Sequence, residues 1–316
     1  MSRFLRSADF VFLTLALYLS SATYAEETEK TSQDTTLPSK TTPLVAAEAE
    51  TKDKVEQSPS DKALEVPLPI TTDELNARDI NHYIEAETIT KLLAGPNEII
   101  TLITTDTSQN SKGVAILLPD WQQTATNPKG LNYLRQKLPE QGWTTIAIQP
   151  PSRPDNYPSQ VLNVSEQEVE NKKSLVEYQG DLSQIMVAVM KKAADYPGIF
   201  IVITQGNHGA LLTELYQTGK VEHPSAFVIL SSYMPTLSAD QQYARALADT
   251  DFPVLDLYLS KDHPLVKSSA KLRLTATKKT MKAYYRQAQL KNMRSGYYPE
   301  RGLVSAINGW LSTVGW

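Results

Sequence analysis

The residues of this chain that could do chemistry sit just after short apolar runs. Ile199–Thr204 (IFIVIT) is followed by Gln205-Gly206-Asn207-His208-Gly209-Ala210. A strand, a tight Gly-containing turn and a helix make the shape of a nucleophile elbow, whose usual letters are G-x-S-x-G. Here the letters are Q-G-N-H-G, and Asn207 stands in the nucleophile's place. A carboxamide is not the nucleophile that acyl transfer needs. Gly209 lets the following helix pack close to the strand. The same letters also suit a plain strand-to-helix turn, but the order of the surrounding elements favours a relic elbow.

Two other strand ends carry candidates. Val114–Leu118 (VAILL) is followed by Pro119-Asp120-Trp121-Gln122. In a serine hydrolase the loop at this point lends a backbone N–H to the oxyanion hole. Asp120 there places negative charge where an oxyanion would develop, which opposes the usual stabilisation. A structural role suits both residues better, Asp120 as a cap and Trp121 as a packing plug. Val254–Leu259 (VLDLYL) is followed by Ser260-Lys261-Asp262-His263-Pro264. Asp262 stands where a triad acid would sit, or is an ordinary turn residue beside a proline.

The general base is the missing piece. The four histidines are His82, His208, His223 and His263, and none follows the last expected strand, Ala283–Leu290. That stretch offers Asn292, Arg294 and Tyr297, none of them a good base at neutral pH. Two rescues are conceivable. His208, at a helix N-terminus and kept neutral by the helix dipole, could serve as base or electrophile. Ser231 or Ser232, after Ala226–Leu230 (AFVIL), could be an off-pattern nucleophile working with His208 or His263. Asp120, His208, Asp262 and His263 do not form a recognised chelating pattern, so no metal and no cofactor are expected.

The elements that would position these residues alternate. Thr71 and Glu74 have capping-box spacing at a helix start. Strands are expected at Ile99–Thr105, Val114–Leu118, Trp143–Ile148, Ile199–Thr204, Ala226–Leu230, Val254–Leu259 and Ala283–Leu290. Helices are expected from Leu131 until Pro139 ends the first, over Ser165–Ala194 with a second capping box and a break near Gly180, and at about 209–218, 239–248, 265–279 and 300–313. Such alternation predicts a single, mostly parallel sheet with helices on both faces. Its ligand crevice lies beyond the carboxyl ends of the strands.

The 316 residues include 31 Lys+Arg, 35 Asp+Glu and no Cys. The net charge of −4 argues against a general nucleic-acid binder, and the missing cysteine excludes disulfides, Cys-metal sites and Cys nucleophiles. Residues 1–25 have the three parts of a secretory signal: Arg3 and Arg6, the apolar run Phe10–Leu19, and small residues leading to cleavage after Ala25. That run is too short for a membrane span, and no later segment is longer and as apolar. Residues 26–65, rich in Thr, Ser, Glu and Lys and without aromatics, read as an acidic disordered tether. Residues 66–316 form the folded domain. Between Lys261 and Arg301 it carries 11 Lys/Arg against two acids. That bias makes Lys278, Lys279 and Lys282 candidates for an anionic partner, although solvated helix faces explain it more simply.

Several stretches together resemble one family. They are Gly113–Trp121 (GVAILLPDW), Leu138–Pro150 (LPEQGWTTIAIQP), Phe252–Tyr258 (FPVLDLY), Tyr285-Arg286-Gln287, and Asn308-Gly309-Trp310-Leu311 (NGWL). The chain is similar in these, over about 73–313, to the DUF3530 family. The resemblance implies an α/β-hydrolase-like fold, a periplasmic Gram-negative setting and no assigned activity, and it supplies no catalytic residues to carry over. The leading expectation is a secreted protein without Ser-His-Asp chemistry. It would bind an envelope ligand at a crevice formed by Asp120, Trp121, Asn207, His208, Asp262 and His263. The alternatives are an esterase or amidase with a displaced triad, and a structural member of an envelope complex.

Overall fold

A computed structural model of the chain describes residues 69–316. The expected signal segment and tether lie outside the described residues.

The chain enters through α1 (Thr72–Tyr83), whose N-cap Thr71 accepts a hydrogen bond from the Glu74 N–H at 3.3 Å. A hairpin follows, β1 (Ile89–Ala94) and β2 (Asn97–Thr104), turning at Gly95 with φ 61°. β1 was not legible in the sequence. It is an edge strand with Lys91 on it and Leu93 exposed, so it lacks the apolar run that marked the others.

The remaining strands are β3 (Gly113–Leu118), β4 (Trp143–Ile148), β5 (Ile199–Gln205), β6 (Ala226–Leu230), β7 (Val254–Leu259) and β8 (Tyr285–Leu290). The helices are α2 (Leu131–Lys137), α3 (Val164–Ala193), α4 (His208–Gln217), α5 (Leu237–Ala248), α6 (Pro264–Lys279) and α7 (Glu300–Thr313). The eight strands form one sheet in the order β1-β2-β4-β3-β5-β6-β7-β8. β2 runs antiparallel to both β1 and β4, and β3 to β8 are parallel. This order and direction are those of an α/β-hydrolase fold, as the sequence led us to expect.

The central strands are buried on both faces, which is why they read as continuous apolar runs. Val114, Ile116 and Leu118 pack on one side with Leu182 and Met186 of α3, Leu212 of α4 and Leu247 of α5. Ala115 and Leu117 pack on the other with Ile80 of α1, Leu134 of α2, and Leu303 and Trp310 of α7. α3 differs from expectation. It is an unbroken 30-residue helix capped by Asn163, whose side chain accepts from the Ser165 N–H. Gly180 does not break it, because the buried stripe Tyr178, Leu182, Ile185, Met186 and Val189 pins both halves to the sheet.

β7 carries one charged residue in the middle of its apolar run. Asp256 is wholly buried and takes a two-pronged ion pair from Arg273 of α6, Nε–Oδ2 2.7 Å and Nη2–Oδ1 2.9 Å. Tyr285 and Gln287 of β8 also donate to Asp256 Oδ2, at 2.7 and 2.8 Å. Arg273 spends its remaining nitrogen, Nη1, on the Ser232 carbonyl and Ser269 Oγ. Such a pair is costly to break from one side, because the survivor is left as an uncompensated buried charge. Asp256→Ala is expected to lower unfolding free energy by about 3–5 kcal/mol in urea titrations. The double replacement Asp256→Leu with Arg273→Leu should cost markedly less than the sum of the two single changes.

Candidate functional site

The carboxyl ends of β3, β5, β6 and β7 bring together the residues singled out in the sequence, but in different roles. The sharp turn after β5 is made at Gly206, with φ 64°. Asn207 has ordinary helical angles, φ −66° and ψ −27°, as the N-cap of α4. The strained position of a nucleophile elbow is therefore Gly206, one residue earlier than the sequence placed it. Asn207 turns its side chain away, donating from Nδ2 to the Tyr233 carbonyl at 2.9 Å and so fastening the loop between β6 and α5. Gly209 is needed for close packing, since a Cβ there would lie 2.4 Å from Ser232 Oγ.

In this fold the oxyanion hole is made by the N–H after the nucleophile and an N–H from the loop after β3. Here those are the N–H groups of Asn207 and Trp121. Both donate to one atom, Oδ1 of Asp120, at 3.1 and 3.0 Å. The carboxylate of the chain itself occupies the place of the oxyanion. It also fills the space of the missing nucleophile, because a Cβ on Gly206 would sit 2.3 Å from Asp120 Cγ. Burial pushes the Asp120 carboxyl up to about 6, against the two N–H bonds and the charge of Lys129, which favour the ionised form. Trp121 is buried beside Asp120. The Trp121 ring meets Tyr157, Tyr178 and His208 edge-on at centroid distances of 5.4, 5.5 and 6.2 Å.

His208 is a structural tie. It is fully buried, with Nδ1 2.5 Å from the Pro119 carbonyl and Nε2 2.7 Å from the Tyr178 hydroxyl. A carbonyl only accepts, so the proton is on Nδ1 and the Tyr178 O–H donates to Nε2. Burial, rather than the helix dipole, holds its pKa down to about 4. With both ring nitrogens taken, His208 is not placed to take a proton from Ser231 or Ser232.

Ser232 is wholly buried and donates to the Gly206 carbonyl at 2.7 Å. Ser231 lies 2.5 Å from Asp262 Oδ2 and 2.6 Å from the Tyr298 hydroxyl, and carries a positive φ of 48°. Among the described residues neither serine hydrogen-bonds to a histidine. Asp262 also accepts from the Leu259 N–H at Oδ2 and the His263 N–H at Oδ1, which makes it the anchor of its turn. His263 caps α6 through Nδ1 and stacks on Tyr233 at 5.6 Å. Tyr298, buried and donating to the Leu257 carbonyl, lies in the segment after β8 where a triad histidine belongs. No feature of the sequence marks it, since its contacts to Ser231 and Leu257 are formed only in the fold. Tyr233, half-buried, was likewise not singled out; burial first, and then the charges of Asp120 and Asp262, push its phenol pKa up.

The lysine candidates separate. Lys278 and Lys279 are exposed at the end of α6. Lys282 is half-buried with its ammonium on the Thr250 carbonyl, and burial lowers its pKa.

The two perturbed groups oppose one another in pH. Asp120 has a folded pKa above its ordinary value of 3.8, so its contribution is fully present below that value and is lost as pH rises through about 6. His208 has a folded pKa of about 4, below its ordinary 6.5, so its contribution is present above 6.5 and is lost as pH falls towards 4. Asp120→Asn keeps an acceptor for the two N–H groups and removes only the first effect. The difference in stability between Asp120→Asn and the unsubstituted chain, from urea unfolding across this window, should grow with pH by a few kcal/mol and level off above about pH 7.

No curated protein matches the chain. Among solved structures, a dienelactone hydrolase from Anabaena variabilis is 12% identical with a TM-score of 0.48, covering 71% of this chain and 94% of its own. A lidless serine hydrolase from Xanthomonas campestris is 11% identical with a TM-score of 0.48, covering 72% and 96%. The esterase PE8 is 14% identical with a TM-score of 0.49, covering 71% and 99%. The model of the family described as "Protein of unknown function (DUF3530)" matches residues 8–313, so the chain belongs to the DUF3530 family.

Proposed function

We propose that this protein is an exported member of the α/β-hydrolase fold that binds an envelope ligand or partner and does not hydrolyse one. The observation that carries this reading is the Asp120 carboxylate seated on the Asn207 and Trp121 N–H groups, beside a glycine at the elbow. Oxyanion-hole donors accelerate acyl transfer because they wait, unpaired, for charge that develops in the transition state. Donors already spent on a resident anion have little left to give. Export rests on the signal pattern of residues 1–25, and a periplasmic setting on the family resemblance. The ligand face is the crevice rim at Tyr233, Asp262 and His263, with Asp120 beneath, and Lys278 and Lys279 offer a separate contact for an anionic partner.

The second reading is an atypical esterase or amidase with Ser231 as nucleophile. Its support is the positive φ of Ser231 and the short contact to Asp262, since strained backbone collects at functional sites. Against it, among the described residues the only base in contact with Ser231 is a carboxylate already engaged by two backbone N–H groups. The purified protein is expected to show no labelling by a fluorophosphonate probe and no turnover of short-chain p-nitrophenyl esters above a heat-denatured control. Labelling that disappears in Ser231→Ala would overturn the binding reading.

A further inference from the structure

The turn between α6 and β8 does something that the crevice does not explain. Helix α6 ends in a paired hydrogen-bond pattern, with the Lys282 N–H on the Thr277 carbonyl and the Met281 N–H on the Lys278 carbonyl. Met281 is the left-handed residue that this motif requires, with φ 52°. That position strongly favours glycine, because a Cβ there is strained. Three residues on, Tyr284 is also left-handed, with φ 55°. Neither is a glycine or an asparagine, and neither hides its side chain: Met281 is 87% exposed and Tyr284 67%. The chain holds two large apolar side chains in water at backbone positions that disfavour any side chain. Lys278 and Lys279 are exposed on the last turn of α6 beside them.

We propose that this turn is an interfacial anchor that docks on an anionic phospholipid surface. The lysines supply attraction to the headgroups. Met281 and Tyr284 supply the apolar insertion, and tyrosine suits the headgroup boundary because its ring is apolar and its hydroxyl stays wet. A fluid interface accepts isolated apolar side chains at the tip of a turn. A protein partner would instead need a complementary patch of about 800 Å² on this side, far more than two side chains offer. The acids facing the turn are Asp249 and Asp251, and both lie near Lys282 and temper its charge. The attraction therefore rests on Lys278 and Lys279. The turn precedes β8, so it lies at the end of the parallel strands opposite Asp120 and Asp262. A docked molecule keeps its crevice away from the lipid. The inference stands on these residues alone and does not depend on whether the crevice binds or catalyses.

The chain has no cysteine, so Met281→Cys gives a single attachment point for an environment-sensitive nitrobenzoxadiazole label in the full chain. Mixed with vesicles of phosphatidylcholine containing about one-third phosphatidylglycerol, the label should shift to the blue and brighten several-fold. The same label at Leu162→Cys, an exposed site before α3, should not change. Lys278→Glu with Lys279→Glu in the labelled chain should weaken vesicle partitioning roughly tenfold. Met281→Gly relieves the left-handed strain, so it should fold at least as stably while sedimenting less with the same vesicles than the unsubstituted chain, whose N-terminal apolar segment it shares. No shift at position 281 overturns the proposal. An equal shift on pure phosphatidylcholine, or at position 162, overturns the assignment to an anionic surface at this turn.

Discussion

One carboxylate organises the site end of this molecule. Oδ1 of Asp120 accepts from the residue after the elbow and from the residue after itself, joining the ends of β3 and β5 at a single atom. Two buried backbone N–H groups must find an acceptor, since a buried donor without a partner costs free energy comparable to a lost hydrogen bond. In a hydrolase that acceptor is water or substrate. Here it is part of the chain, and the elbow residue opposite is a glycine, beside which no side chain would fit. The two features imply one another: the carboxylate needs the space and the glycine leaves it.

The rest of the crevice hangs from a second buried charge. Arg273 reaches across from α6 to Asp256 in β7 and to the carbonyl of Ser232. It continues through Ser269 to Asp240, whose carboxylate accepts the Met234 N–H at 3.1 Å. The loop from Ser231 to Thr236 is thereby held from beneath by the ion cluster, and from the side by Asn207 on the Tyr233 carbonyl. Tyr243 lies against the Arg273 guanidinium at 5.3 Å and closes the network towards α5. A loop fixed at this many points has little freedom to rearrange around a reacting serine.

Three of the five stretches that carried the family resemblance are parts of these same two constructions. FPVLDLY contains Asp256, and Tyr285-Arg286-Gln287 supplies both β8 side chains that bond to it. GVAILLPDW ends in Asp120 and Trp121, the carboxylate in the hole and the aromatic plug beside it. Read one at a time, none of these stretches shows its partner. Their meaning is pairwise, and pairs between residues 29 or 87 positions apart are formed only by the sheet.

What the sequence determined by itself was the succession of elements, because strands covered on both faces must be apolar throughout and helices must repeat every three or four residues. It also determined that the elbow has no hydroxyl and that no histidine follows the last strand, since composition at a position needs no geometry. The tertiary structure decided which residue stands at the strained turn, which way Asp120 faces, and that His208 is a buried tie. Those are matters of backbone dihedral angle and of proximity in space. A one-residue shift along the elbow leaves the letters equally plausible, and only the placement of β3 beside β5 brings a carboxylate onto the two N–H groups that await one.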